Sequence, residues 1–196
     1  MHYAVDQTKQ SEAATVRYLI DGRASRFTVQ AFATGLLSTL AHSPTIAIPD
    51  FEGEVLVNLD ALEQSSLRIT IRTDSLTVTD DVSGKDREEI NRRMHTEVLE
   101  SGSYPEIVYE SSHVSASKSG EGQYWVALTG ELTLRGITRG QPISARVSVN
   151  EDTLRATGDF SVRQSDYEIP PVSAVGGTIK LKDELKFSFD ISARRQ

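Results

Sequence analysis

The sequence predicts an all-β fold: a single, extended, antiparallel barrel of eight strands with one helix packed at or over an end of the barrel. Apolar and polar residues alternate along most of the chain, which is typical of strands with one buried and one wet face. One stretch instead places apolar residues at four-residue spacing, which is typical of a helix. Consecutive one-faced strands hide their edges and apolar faces most economically by closing into a barrel, although a two-sheet sandwich would show the same alternation.

The strands are predicted from segments in which one side is almost entirely apolar. In QYWVALTGELTLRG, for example, Leu128, Leu132 and Leu134 alternate with Thr129 and Glu131. Turn signals such as Asp-Gly, Arg-Gly and Gly-Gly separate these segments. The same alternation predicts strands in RFTVQAFA, DFEGEVLVNLDAL, SLRITIRT, YPEIVYES, QPISARVSVN, TLRATGDFSVRQ and TIKLKDELKFSFDISA.

The first of these strands ends where Phe32 breaks the alternation. The following residues, TGLLSTLAHSP, predict a bend or a short helical turn in which Leu36, Leu37 and Leu40 pack inward. His42 lies at the end of this apolar turn, where a mouth of the barrel could lie. We therefore treat His42 either as a structural histidine or as one that contacts a ligand.

The predicted helix covers residues 84–101. Ile90, Met94 and Val98 lie on one narrow face of it, so we expect that face to press onto the barrel. Ser83 is a suitable N-cap, with Asp86 three residues further on. The sequence leaves open whether the helix plugs a packed core or acts as a lid with Met94 at its centre.

Composition excludes several classes of function. The formal net charge is −7, whereas a nucleic-acid partner requires a basic surface. The absence of cysteine excludes disulfides, thiolate metal sites and a cysteine nucleophile. No segment approaches the roughly 18 consecutive apolar residues of a membrane helix, so we expect no integral membrane segment.

The N-terminal residues predict a tail rather than a targeting signal. Residues 1–16 are polar enough for a flexible tail, and residues 17–196 form the predicted barrel domain. The tail has no basic segment followed by an apolar run, so we expect a cytoplasmic protein, or a periplasmic or secreted one if a signal peptide has been removed.

Enzyme signatures are mostly missing from the chain. No metal-binding histidine pair, nucleophile elbow or phosphate-binding glycine loop is present. Asp159 and Asp183 fit solvated surface or turn positions. An enzyme acting on a small hydrophobic substrate remains an alternative, with His42 or Asp166 at the barrel mouth as its candidates. The sequence predicts no catalytic residue with a recognisable partner and no required cofactor or metal.

The predicted inward faces carry almost no charge, so a guest inside the barrel should be apolar. An eight-stranded barrel can be filled by its own side chains or can hold one small ligand. Gly53, Gly130 and Gly158 lie on these faces, where they either relieve crowding or leave room for a guest. A filled-core structural or interaction barrel is therefore the third alternative.

Four motifs follow one another from about Tyr18 to Ala193: YLIDGRASRFTVQAF, MHTEVLESGSYPEIVYESS, LTGELTLRGITR, and GDFSVRQSDYEIPP followed by GGTIKLKDELKFSFDISA. In this order they resemble the YceI-like family of lipocalin-like, polyisoprenoid-binding proteins. The chain departs from the family's N-R-S-D-F-G stretch, since Gln164 replaces the arginine and Glu168 the glycine.

This resemblance implies an extended lipocalin-like barrel around a hydrophobic tunnel, which takes a long isoprenoid tail such as that of a quinone, and it implies no established catalytic activity. The expected partner is an apolar lipid, and a homodimer remains open. We expect ligand contacts from the residues of the inward faces, the apolar turn and the helix: Phe27, Val29, Phe32, Leu36, Leu40, His42, Ile90, Met94, Leu132, Leu134, Phe160, Phe187 and Phe189.

Overall fold

The computed structural model describes residues 15–34, 43–174 and 179–196. Within these residues the strands form one antiparallel sheet. The strands are β1 (Thr15–Ile20), β2 (Arg26–Thr34), β3 (Thr45–Ala47), β4 (Phe51–Asn58), β5 (Ser66–Arg72), β6 (Thr77–Val78), β7 (Glu106–Gly120), β8 (Gln123–Leu134), β9 (Ile137–Gly140), β10 (Ile143–Val149), β11 (Thr153–Arg163), β12 (Ser173–Ala174) and β13 (Ile179–Arg195).

Eight of these strands close into a barrel. They pair in the order β1–β4–β5–β7–β8–β10–β11–β13, and β13 pairs back with β1. In that closing pair Ile20 lies opposite Ala193, and Tyr18 lies opposite Arg195. The predicted antiparallel eight-stranded barrel is confirmed, and the closing pair excludes the two-sheet sandwich.

The last strand serves two partners along one edge. Residues 193–195 of β13 pair with β1, whereas residues 180–190 pair with β2. A turn at residues 22–24 separates β1 from β2, and the Asp21 carboxylate accepts hydrogen bonds from the backbone N–H groups of Arg23 and Ala24. The short strands β3 and β6 extend the sheet beyond β2, while β9 and β12 pair along β8 and β13.

The sequence did not predict β1 or the four short strands. β1 begins at Thr15, inside the expected tail, although Val16 and Tyr18 do alternate with Thr15 and Arg17 before Leu19 breaks the pattern. The short strands contain four residues or fewer, too few for an alternation to stand out. The expected apolar turn, with Leu36, Leu37, Leu40 and His42, lies outside the described residues.

The barrel has two different ends. At what we call the helix end, β4 and β10 begin, β5 and β11 end, and the helix lies between β6 and β7 in the chain. At what we call the far end, residues 59–65, 121–122 and 150–152 join consecutive barrel strands. Short connections at the far end contrast with the long connection that carries the helix at the other.

The helix α1 (Gly84–Arg93) begins and continues as the sequence predicts. The Ser83 hydroxyl accepts a hydrogen bond from the backbone N–H of Asp86 at 3.1 Å and donates one to its carboxylate at 2.6 Å. The chain then continues as a π-helical turn, Met94–Val98, in which the N–H of Leu99 donates to the carbonyl of Met94. The helical segment therefore ends three residues before the predicted Ser101.

Polar contacts hold this helix against the segment around β6. The Asn91 side chain accepts from the N–H of Val78 and donates to the Thr77 hydroxyl, both at 3.0 Å. His95 Nε2 lies 2.8 Å from the carbonyl oxygen of Leu76. Because these bonds satisfy backbone groups of an otherwise unpaired edge, they fix the helix on the sheet.

Candidate ligand-binding cavity

An apolar cavity of about 170 Å³ occupies the barrel interior. A single water needs roughly 10–15 Å³, so the space is more than ten times that of one water. The cavity is lined by the inward faces of the eight barrel strands, with contributions from β2 and from residues 59–65: Ile20, Phe27, Val55, Val57, Leu59, Leu62, Ser65, Ser66, Leu67, Ile69, Ile71, Ile107, Tyr109, Val114, Ala116, Tyr124, Val126, Leu128, Leu132, Leu134, Ile143, Ala145, Val147, Val149, Leu154, Ala156, Phe160, Phe187, Phe189 and Ile191.

The burial of the inward residues shows that the barrel is hollow. Val126, Leu128 and Val147 point inward yet are only partly buried, because they face the cavity rather than another side chain. In a barrel filled by its own side chains such residues would be fully buried, since protein interiors pack to the density of organic crystals. The interior of this barrel is therefore not filled.

The helix end of the cavity is closed. Its lining residues Ile107 and Leu134 are 6% and 5% exposed and belong to one buried cluster with Met94 and Leu99. Leu76, which carries the carbonyl that faces His95, is part of the same cluster. The helix thus packs over this end of the barrel, as predicted.

The cavity opens at the far end. Leu59, which lines the cavity, is 57% exposed, and Leu62, Tyr124 and Val149 are partly exposed. An opening opposite the helix does not support the interpretation of the helix as a lid over the mouth. The mouth is instead framed by turns between strands.

One buried asparagine fixes the turn that carries two of these leucines. Asn58 is 5% exposed, and its Oδ1 accepts hydrogen bonds from the N–H groups of Asp60 at 3.1 Å and Ala61 at 3.0 Å. Its Nδ2 donates to Gln64 Oε1 at 3.2 Å, and its backbone N–H donates to the Ser65 hydroxyl at 3.1 Å. The residues between Asn58 and Ser65 are therefore held in one conformation at the mouth.

Among the described residues few polar side chains reach the cavity, and none of those that line it is charged. The Tyr109 hydroxyl donates a hydrogen bond to the carbonyl of Gln141 at 3.2 Å. Burial raises the pKa of Tyr109 to about 12, so this phenol is neutral over the physiological range. The two serines of the lining, Ser65 and Ser66, both lie at the far end.

Phenylalanine side chains form one wall of the cavity towards the helix end. The rings of Phe160 and Phe187 stack with their centroids 4.9 Å apart and their planes 9° apart. Phe27 meets Phe187 and Phe189 edge to face, at 6.1 and 6.3 Å. Such pairs favour fixed ring positions, so this wall is a rigid surface.

The glycines of the inward faces relieve crowding. A Cβ at Gly130 would lie 2.6 Å from the Tyr109 hydroxyl, and one at Gly158 would lie 2.7 Å from the Phe189 ring. At Gly53 a Cβ would lie 2.9 Å from a methyl group of Ile20. Neighbouring side chains pack directly against the backbone of these glycines, in the space that a Cβ would occupy, and the glycines do not line the cavity.

The structure brings some of the expected contact residues together at the cavity and separates others. Val29 and Met94 are buried beside the cavity without lining it, because β2 leaves the barrel wall towards β3 and the helix lies beyond the closed end. Leu36, Leu40 and His42 lie outside the described residues. The predicted residues that do line the cavity are Phe27, Leu132, Leu134, Phe160, Phe187 and Phe189.

Two other expected contacts face the surface. Ile90 is 36% exposed, because the face of α1 that meets the sheet carries Asn91, and the apolar stripe reaches the core only from Met94 onward. Phe32 is partly exposed, and the Lys182 ammonium lies 5.8 Å from its ring centroid. Neither Ile90 nor Phe32 lines the cavity.

Sequence reasoning missed many lining residues. The alternation of QYWVALTGELTLRG and QPISARVSVN puts Val126, Leu128 and Val147 on inward faces, but it does not show which inward residue meets a gap. Leu59 does continue the alternation of the predicted strand DFEGEVLVNLDAL, on the same side as Val55 and Val57, although β4 itself ends at Asn58. Leu62 lies in the connection between strands, where no period applies, and its one sequence signal is that it is a large apolar residue in an otherwise polar turn.

A closed eight-stranded antiparallel barrel around an open apolar cavity defines a lipocalin-like protein. The model of the YceI-like domain matches residues 3–193, and the chain belongs to this family. No curated protein matches the chain by sequence. Within the described residues no helix is long and apolar enough to cross a membrane, and no group of three metal-ligating side chains is present.

Solved structures of the same fold come from several bacteria. BcnA of Burkholderia cenocepacia is 17% identical, with a TM-score of 0.67 over 88% of this chain and 98% of BcnA. A polyisoprenoid-binding domain from Saccharophagus degradans is 11% identical, with a TM-score of 0.65 over 91% of this chain and 98% of that domain. The Campylobacter jejuni YceI protein is 13% identical, with a TM-score of 0.57 over 77% and 84% of the two chains.

Proposed function

We propose that this protein binds one long-chain apolar lipid, such as a polyisoprenoid, inside the barrel. The observation that carries the proposal is the cavity inside the barrel. Its described lining residues are uncharged, and it is closed at the helix end and open at the far end. A tail that enters from water gains about 0.8 kcal/mol for each buried CH₂ group. The burial of several CH₂ groups therefore offsets the entropy that the tail loses when it becomes ordered.

The two ends of the cavity give the ligand a direction. The helix end offers only buried apolar residues, so it accepts the tip of the tail. A polar head group has no charged partner inside and stays at the far end, beside Ser65 and Ser66. The ligand class is accordingly an amphiphile with one long tail, held tail-first.

Two observations favour an isoprenoid as the tail of the ligand. The fold of the Saccharophagus degradans polyisoprenoid-binding domain covers most of this chain. The phenylalanine wall also offers flat, polarisable surfaces to a branched, unsaturated tail. Carriage or sequestration of such a lipid needs no cofactor and no catalytic group.

The alternative of an enzyme finds less support in the described residues. The lining contains no carboxylate, histidine, lysine or arginine, whereas general acid–base chemistry needs such a group within hydrogen-bond reach of the substrate. Asp166 is exposed in a turn at the helix end and does not line the cavity. His42 lies outside the described residues.

The proposal is tested by comparing a bulky substitution that fills the cavity with the same substitution on the outer face of the barrel. Val126 faces the cavity, whereas its neighbour Ala127 is exposed on the outside of β8. We expect Val126→Trp to abolish uptake of a fluorescent long-tailed isoprenoid, and Ala127→Trp to leave it unchanged. Fluorescence titration gives the affinities, and far-ultraviolet circular dichroism confirms that both variants are folded.

Native mass spectrometry of protein purified without detergent should also show a bound lipid in the wild type. A ligand-free mass together with no uptake of the added isoprenoid would contradict the proposed function. Equal uptake by Val126→Trp and Ala127→Trp would show that the lipid binds outside the barrel.

A further inference from the structure

The mouth of the cavity lies among carboxylates. The three turns at the far end, residues 59–65, 121–122 and 150–152, contain no lysine and no arginine. Their acidic residues, which we call the rim carboxylates, are all exposed: Asp60, Glu63, Glu121, Glu151 and Asp152. Because each turn joins strands of the cavity wall, these charges surround the opening.

The rim carboxylates stand without a counter-ion among the described residues, as do other exposed carboxylates of the barrel such as Glu52 and Glu106. None of them forms an ion pair within the described residues, whereas the outer wall carries pairs such as Arg17–Glu54, Arg155–Asp190 and Lys186–Asp159. Three cations, Lys118, Arg194 and Arg195, stand at strand ends beside the rim, and of these Arg194 forms an ion pair with Asp21 at 3.2 Å. The Arg195 guanidinium lies 3.5 Å from the backbone carbonyl oxygen of Glu151 rather than from a carboxylate.

From the cavity and its rim together we infer that the protein selects its ligand by head-group charge: it admits amphiphiles with a neutral or cationic head and disfavours those with an anionic head. The inference rests on the proposed function, because the cavity is the site and the rim acts only on a head group that remains outside it. The head cannot follow the tail inward, since none of the described lining residues is charged and burial of an unpaired charge is costly.

The physical basis of the selection is long-range repulsion rather than a contact. The five unpaired carboxylates outnumber the two unpaired cations, Lys118 and Arg195, and leave a negative potential at the opening. Uncompensated charges of one sign around an apolar cleft act on every ion that approaches it. A carboxylate or phosphate head is repelled by the rim carboxylates for as long as the tail is bound, and this repulsion weakens binding. A hydroxyl or quinone-like head does not, and an ammonium head is attracted.

The experiment compares three twelve-carbon amphiphiles with the same tail: dodecyltrimethylammonium, dodecanol and dodecanoate. Each displaces a fluorescent apolar probe from the wild-type protein at pH 8, below its micelle concentration. At 0.02 M salt we expect about tenfold tighter binding of the cation than of the anion, with dodecanol between them. At 0.5 M salt the difference should largely disappear, because screening then acts within a few ångström.

Two variants that lose the same number of negative charges show whether the rim causes the preference for head-group charge. The rim variant replaces all five rim carboxylates by their amides and should bind the three amphiphiles within about twofold of one another. The control variant makes the same change at five exposed carboxylates of the helix end and should keep the wild-type preference: Asp50, Glu52, Asp81, Glu88 and Glu106.

The outcomes separate this inference from the proposed function. Equal affinity of the wild type for all three amphiphiles, or an unchanged preference in the rim variant, would overturn the charge selection while leaving lipid binding intact. Failure of dodecanol and of the long isoprenoid to bind would overturn the proposed function, and the charge selection with it.

Discussion

Among the described residues, the three that are not glycine but have a left-handed backbone conformation are linked through the side chain of one of them. These are Glu100, Arg135 and Glu168, with φ values of 49°, 51° and 54°. The Arg135 guanidinium forms an ion pair with the Glu100 carboxylate and donates to the backbone carbonyl of Glu168 at 2.9 Å. Each left-handed residue costs roughly 1–2 kcal/mol, so the contacts of one arginine stabilise a strained junction.

This junction fastens the closed end of the barrel. Glu100 follows the π-helical turn, Arg135 lies between β8 and β9, and Glu168 follows β11. The Arg135 side chain is only 14% exposed, which makes its bonds stronger than those of a surface pair. Three separate connections are thereby joined through one side chain.

A glycine at position 168 should stabilise the fold. The backbone carbonyl of Glu168 makes the contact to Arg135, so Glu168→Gly keeps that bond and removes the Cβ that disfavours a positive φ. After the larger chain entropy of glycine is subtracted, we expect a gain of up to about 1 kcal/mol in the free energy of unfolding. Urea denaturation measures it.

The matched control for this substitution is Glu168→Ala, which removes the same carboxylate but retains the Cβ. Alanine should give no gain, because its φ preference is that of other L-residues. An equal gain from alanine and glycine would show that the charge of Glu168, not its backbone conformation, is unfavourable. The resemblance pointed to this position, since the family carries a glycine where this chain has Glu168.

At the scale of elements, the helical segment of residues 84–98 is a plug for one end of the barrel. Met94 is 7% exposed and packs in the cluster that includes Leu99 and the inner ends of the barrel strands. The outer face carries the ion pairs Glu89–Arg92 and Arg93–Glu97. Such exposed pairs contribute little, so burial from Met94 onward and the polar bonds to β6 hold the helix.

A charge at position 94 should therefore unfold the closed end rather than open a mouth. We expect Met94→Glu to lower the free energy of unfolding by about 3 kcal/mol or more, because it buries an unpaired carboxylate. Ile90→Glu, one turn earlier on the same stripe, should cost within about 0.5 kcal/mol because Ile90 is exposed. Thermal unfolding of the two variants makes the comparison.

The retention of a bound lipid distinguishes a plug from a lid. The off-rate of a fluorescent isoprenoid from Ile90→Glu should equal that from the wild type. A faster off-rate in Met94→Glu with an unchanged thermal midpoint would contradict the plug and restore the helix as the route of exit.

The sequence could predict the strands and the helix because each has its own local period. Its limits lie where a neighbour decides the outcome. Ile90 and Met94 have the same spacing and hydrophobicity, yet only the wall beneath Met94 makes it a core residue. The π-helical turn and β1 depend likewise on partners distant in the chain, namely the closed end of the barrel and β13.

At the scale of the whole molecule, closure and hollowness are separate properties. The pairing of β1 with β13 leaves the described barrel strands without a free edge, which secures the backbone hydrogen bonds. The hydrophobic stabilisation is concentrated elsewhere, in the buried cluster at the helix end and in a smaller one around Tyr18 and Leu154. The middle of the barrel keeps apolar surface uncovered, and a ligand can cover it.

The apolar nature of the candidate site could be predicted from the sequence, but the position of the cavity and of its opening could not. Alternation predicted an apolar, uncharged interior and put Leu132 and Phe160 on inward faces, where both line the cavity. Whether inward side chains meet across the axis depends on strand number and tilt, which no single strand encodes. The open end was not predictable either, because alternation along a strand is the same at both ends of a barrel and does not show which end is closed.

A hollow barrel should be stabilised by a residue that fills the space a ligand would use. Ala156 lines the cavity between Val147 and Ile191, so Ala156→Leu should raise the free energy of unfolding of the ligand-free protein by roughly 1–2 kcal/mol through new apolar burial. The same variant should bind dodecanol more weakly and gain less thermal stability from it, because a ligand stabilises only in proportion to its occupancy. The exposed Ala127→Leu is the control for added bulk and should change neither quantity by more than about 0.5 kcal/mol. Destabilisation by Ala156→Leu would mean that the interior has no spare room, and binding inside the barrel would then be untenable.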